Sequence, residues 1–192
     1  EEDHVVVATS SIIPGNIDLL TTDNIWETWL RITEFIDIIN GAAKIEGVML
    51  NNISLLKVHY EDPKGKQHIL GNTGEVEVVL PGIRATTPDV SRMIPLALKD
   101  KAVAKVLRLF SRELDWVNLC RIHEVIHEDF GGLSGEELRS LTGSANNSSV
   151  SGDLARHGKI KSGTPKKTIT LSEAQYLIKR TAREWITDKI NI

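Results

Sequence analysis

A chain of 192 residues with 41% apolar and 26% charged residues has the composition of a folded globular protein, not of a disordered one. Its net charge of −3 argues against wholesale polyanion binding, which goes with a basic excess over the whole domain, and leaves room for a local basic patch. The single cysteine, Cys120, rules out an intrachain disulfide and a cysteine-based zinc site, and it suits a reducing, cytoplasmic setting.

The acidic start Glu1-Glu2-Asp3 is the opposite of the basic opening of a signal peptide. The longest apolar runs, such as Val5-Val6-Val7-Ala8, fall far short of the ~20 residues a membrane helix needs, so no membrane partner is expected. Residues 4–13 predict a strand, dense in β-branched side chains and ended by Pro14-Gly15. The stretch 25–39 is open between two readings. Trp26, Trp29, Ile32, Ile36 and Ile39 recur at helical spacing, while the β-branched content favours a strand followed by a short helix near 33–43. Residues 53–71 predict a hairpin about the turn Asp62-Pro63-Lys64-Gly65, in which Pro presets φ and Gly accepts the left-handed position. Residues 75–84 alternate as a third strand.

From Thr87-Pro88 onward the signals are helical. Leu96, Val103, Val106, Leu107 and Phe110 make an apolar stripe along 96–112. Asp115 is placed to cap the next helix, with Leu114 and Leu119 as its staple, and Gly131-Gly132 ends it. Capping boxes start further helices at Ser134-Gly135-Glu136-Glu137 and at Ser172-Glu173-Ala174-Gln175, and Leu177, Ile178, Trp185 and Ile186 are expected to be buried behind the second. Between them the polar residues 143–152 predict a flexible stretch, followed by a basic run from Arg156 through Lys167. The expected fold is α+β: a strand-rich region at 1–86, forming a small N-terminal antiparallel sheet, packed on a helical region at 87–192 as one compact unit.

One pattern suggests chemistry. In His123-Glu124-Val125-Ile126-His127 the two histidines are four apart, so on a helix their rings share a face and can bind one metal ion together. The stretch resembles the zincin metallopeptidase motif over these five residues. That resemblance implies zinc ligands at His123 and His127 and a general base at Glu124, acting on a metal-bound water. A third ligand is required, and the sequence offers Glu137, His157 and Glu173 without a recognisable second motif. The competing explanation is packing: Trp116, Leu119, Cys120, Ile126 and Phe130 share a broad face with the two histidines, leaving Arg121, Glu124 and Glu128 solvated.

Other candidates carry less. His59 and His68 lie on the two arms of the hairpin, where a one-residue shift of register decides whether they meet. Cys120 falls mid-helix on the apolar face, unlike a catalytic thiolate at a helix start. Arg156, His157, Lys159, Lys161, Lys166 and Lys167 run without an intervening acid, and with Ser144, Asn146, Asn147, Ser148 and Ser149 upstream they suit a phosphate or nucleic acid. No aromatic residue is interleaved to stack bases.

Trp116-Val117-Asn118-Leu119, Ala155-Arg156-His157-Gly158 and the closing helix at 171–185 resemble small uncharacterised bacterial or phage proteins. The resemblance implies a bacterial or phage setting and no particular activity. The expected function is a non-enzymatic binding or protein-interaction module, with an anionic partner at Arg156, His157, Lys159 and Lys161 and no cofactor. The alternative is a zinc-dependent hydrolase built on His123, Glu124 and His127.

Overall fold

The computed structural model describes residues 25–47, 54, 57–61, 66–71, 88–156 and 165–191. In chain order these form α1 (Ile25–Glu46), β1 (Lys57–Glu61), β2 (Gln67–Gly71), α2 (Pro88–Lys99), α3 (Lys101–Ser111), α4 (Trp116–Phe130), α5 (Gly135–Ala145), α6 (Ser148–Ser151), a 3-10 turn at Gly152–Leu154, and α7 (Leu171–Asn191). None of these helices is long and apolar enough to cross a membrane.

The expected α+β architecture is overturned: the described residues are predominantly helical. Among the described residues β-structure is limited to one antiparallel ribbon, in which His59 pairs with Ile69 and Tyr60 with His68, one residue away from a His59–His68 pair. Among the described residues, the buried core residues are helical or sit in helix connections. The strands expected at 4–13 and 75–84 lie outside the described residues.

The stretch 25–39 is helical throughout and continues to Glu46. Phe35, Ile38, Ala42 and Ile45, spaced three, four and three apart, make its buried stripe. Packing of that stripe against the following helices outweighs the strand preference of its isoleucines and threonines. The stripe expected from Trp26, Trp29, Ile32, Ile36 and Ile39 sits roughly a third of a turn away and forms the flank, with Trp26 63% exposed. Gly41 lies at a close approach of α1 and α3: a Cβ there would stand 1.9 Å from the Leu107 carbonyl oxygen.

The apolar stripe at 96–112 is broken at Asp100. Its carboxylate accepts from the N–H groups of Ala102 and Val103 at 2.8 and 3.1 Å, ending α2 and starting α3. Val103, Val106, Leu107 and Phe110 are buried as expected. Asp115 caps α4 by accepting from Asn118 N–H at 2.7 Å. The Asn118 amide in turn donates to the carbonyls of Leu109 and Glu113, bracing the link between α3 and α4. Ser134 and Glu137 complete a capping box on α5.

The cap of α7 is two residues earlier than expected. Thr170 Oγ1 accepts from Glu173 N–H at 3.2 Å, and the Glu173 carboxylate accepts from Thr170 N–H at 2.7 Å. Thr170-Leu171-Ser172-Glu173 is a capping box in its own right, and its carboxylate is a stronger acceptor than the Gln175 amide. Behind it Ala174, Ile178, Thr181, Ala182, Trp185 and Ile186 are buried, and Leu177 is half-buried.

Residues 143–152 are not a flexible stretch. They hold the last turn of α5 and all of α6, where the Asn147 side chain caps by accepting from Ser149 N–H at 2.9 Å. Ser144 is fully buried, with its hydroxyl accepting from Ile169 N–H and its carbonyl from the Ser151 hydroxyl. The polar side chains that suggest a loop are spent on backbone groups that the turn leaves open.

Candidate functional site

Cys120, His123, Glu124 and His127 fall on α4 at positions that share one side of the helix. The two imidazoles stack, with ring centroids 5.3 Å apart and planes 18° from parallel. They sit in different surroundings. His123 is 7% exposed, and its Nε2 is buried without a hydrogen-bond partner. His127 is exposed, and its Nδ1 lies 2.9 Å from the Gly131 carbonyl oxygen at the end of α4. In the neutral ring that contact places the proton on Nδ1 and leaves Nε2 as the free acceptor. Burial lowers the His123 pKa from its ordinary value; the neighbouring His127 acts in the same direction and Glu124 against it.

Glu124 is exposed but engaged. Its Oε1 receives the Arg156 guanidinium at 2.5 Å, an ion pair spanning α4 and the segment after the 3-10 turn. The carboxylate that the zincin pattern would use as a base is thus turned to a cation. Two of the three offered ligands are also committed: Glu137 to Arg180 at 2.8 Å and to the Ser134 cap, and Glu173 to Thr170. The Arg180 ion pair and the cap hold the Glu137 carboxyl down at about 2. His157 lies outside the described residues, and among the described residues no three metal-ligating side chains converge. Cys120 is 3% exposed and free, and burial pushes its thiol up, as expected of a core cysteine. Around the pair, Trp116, Leu119 and Ile126 are buried, while Phe130 is 40% exposed.

The basic run divides into parts with different work. Arg156 is a tether: its backbone N–H donates to the Ala145 carbonyl at 2.7 Å while its guanidinium holds Glu124. Lys167 pairs with Glu136 on α5. Pro165 packs on Gly143, where an added Cβ would meet the proline ring at 3.4 Å. Ile169 N–H donates to the Ser144 hydroxyl at 2.8 Å. Both ends of the basic segment are therefore anchored on the last turns of α5. His157, Lys159 and Lys161 fall between these anchors in sequence and lie outside the described residues. Lys166 is exposed and carries no ion pair among the described residues.

Beside these anchors is an open groove of about 290 Å³, lined by Arg139, Thr142, Gly143, Asn146, Asn147 and Pro165. Sequence reasoning missed it. Arg139, Thr142, Gly143 and Asn146 share a helix face only if α5 runs past Gly143, and the glycine and serines there signalled a loop. No family model matches the chain, and neither curated proteins nor solved structures yield a significant match to it.

Proposed function

We propose that the chain is a non-enzymatic binding module that engages an anionic partner through the basic segment at 156–167. The observation that carries this is the anchoring of both ends of that segment on one part of α5. A short basic stretch held at both ends has lost part of its chain freedom in advance, so ordering it against a partner costs less. The cations that the sequence places between the tethers Arg156 and Lys167 are then left for the anionic surface, and the net charge of −3 disfavours indiscriminate adhesion elsewhere. Fluorescence anisotropy with a labelled single-stranded oligonucleotide at low salt tests the proposal. Binding should weaken steeply with salt and should be lost in Lys159→Ala/Lys161→Ala. No binding at low salt, or binding indifferent to both lysines, would overturn it.

A zinc-dependent hydrolase is the second reading, favoured by one contact: the Gly131 carbonyl on His127 Nδ1 is the kind of acceptor that orients a metal-bound imidazole. It requires Glu124 to leave Arg156 and a further ligand to arrive. Elemental analysis of protein purified without a histidine tag decides it. Stoichiometric zinc that disappears in His123→Ala would establish this reading in place of the first.

A further inference from the structure

We propose that the groove at the end of α5 is a subsite for a phosphoryl group of the anionic partner; this rests on the function proposed above. None of the six lining residues is acidic, and two of them, Arg139 and Asn146, carry N–H donors on their side chains. Asn146 lines the groove, and of its amide the Oδ1 is buried without a partner among the described residues while the NH₂ is not. The stem of Arg139 lines the groove. Its guanidinium rests over Gly135, carries no ion pair among the described residues, and is exposed, so it can swing. Glu136, three residues before it on α5 and in electrostatic contact with it, is held by Lys167. Lys166 follows the lining residue Pro165 in sequence, is exposed, and carries no ion pair among the described residues. Forked guanidinium N–H donors and an amide NH₂ suit a group with several acceptor oxygens and more than one negative charge, which is a phosphoryl group before a carboxylate. At about 290 Å³ the groove has room for such a group with its waters. It adjoins Pro165, one anchor of the basic segment, so a partner chain held by that segment can place a phosphate here.

The test compares two labelled oligonucleotides of one sequence, with and without a 5′ phosphate, and uses inorganic phosphate as competitor. The phosphorylated strand should bind more tightly, and phosphate should displace it. Arg139→Ala and Asn146→Ala should each weaken it about tenfold, the scale of a lost hydrogen bond to a charged group, while Arg139→Lys keeps part of the affinity. Neither side chain makes a hydrogen bond among the described residues, so the variants should retain the wild-type circular dichroism. Displacement by phosphate without preference between the strands would support a subsite for the free anion. Equal binding of both strands with no competition by phosphate would overturn the subsite. So would loss of binding in Lys159→Ala/Lys161→Ala combined with indifference to Arg139 and Asn146, an outcome that leaves the function proposed above standing. Wild-type protein that binds neither strand would remove both.

Discussion

At the level of single residues, a hydroxyl two positions apart separates two accounts of how α7 begins. Thr170 and Glu173 exchange hydrogen bonds across the first turn, whereas Ser172 is exposed within the helix. Thr170→Ala should cost about 1 kcal/mol in chemical denaturation, and Ser172→Ala, free of any capping role, should be close to neutral or slightly stabilising. Equal losses would contradict the assignment. His123 makes a second residue-level prediction. Its pKa is lowered in the folded state by burial, so between that lowered value and about 6.5 the unfolded chain binds more protons than the folded one. Stability contributed by the neutral ring is therefore present above about 6.5 and is lost as pH falls below it. Urea denaturation at pH 8 and pH 5 should show the loss, and His123→Leu should flatten it; an unchanged slope in the variant would remove His123 as the cause. The spacing of the two histidines was legible in the sequence, but the burial of one, the exposure of the other and the capture of Glu124 by Arg156 were not. The sequence separation of 32 residues between Glu124 and Arg156 is bridged only by the fold.

Among the elements, α1 shows how packing outranks local preference. Its isoleucines and threonines left the strand and helix readings open, and the deciding partner, α3, lies far along the chain. Gly41 is where the two backbones meet, with no room for a methyl group beside the Leu107 carbonyl. Gly41→Ala should gain about 1 kcal/mol of helix propensity and still destabilise the protein by about 1–3 kcal/mol, because α1 must move off α3. Thermal denaturation checks this, and a raised melting temperature would refute the close approach. The caps at Asp115 and Ser134 were legible because their partners lie three residues away. The break at Asp100 was hidden because an apolar stripe runs across it at helical spacing. The turn at 143–152 was hidden for the opposite reason: its serines and asparagines look solvated until their backbone partners are known.

On the scale of the whole molecule, the helical character of the second half could be read from its stripes and caps, whereas the described part of the first half contributes to the core through a helix, α1, where a sheet was expected. The reason is the reach of α1. Ile38, Ala42 and Ile45 belong to the same cluster as Leu107, Phe110 and Trp185, so one core joins residues on both sides of position 86. Polar ties follow the same path. Lys44 donates to the carbonyls of Ser111 and Arg112 at the end of α3, and Arg183 on α7 donates to the Ile45 carbonyl and pairs with Glu46. At the far end, Lys189 links Asp100 and Asp129 at 2.7 and 2.6 Å, closing α7 onto the start of α3 and the end of α4. A fragment of residues 88–192 keeps every helix from α2 onward but loses the α1 stripe that covers α3. Its Leu107 and Phe110, fully buried in the intact protein, would lose part of that cover, and large-to-small losses of this kind cost several kcal/mol against a total stability of about 5–15 kcal/mol. The fragment should therefore melt without a sharp transition, and it should bind a hydrophobic dye that the intact protein excludes. Adding a peptide of residues 25–47 in excess should restore a cooperative transition, since binding to the folded form alone stabilises it by mass action. A fragment that melts cooperatively on its own, with no effect of the peptide, would show that the later helices hold a core without α1.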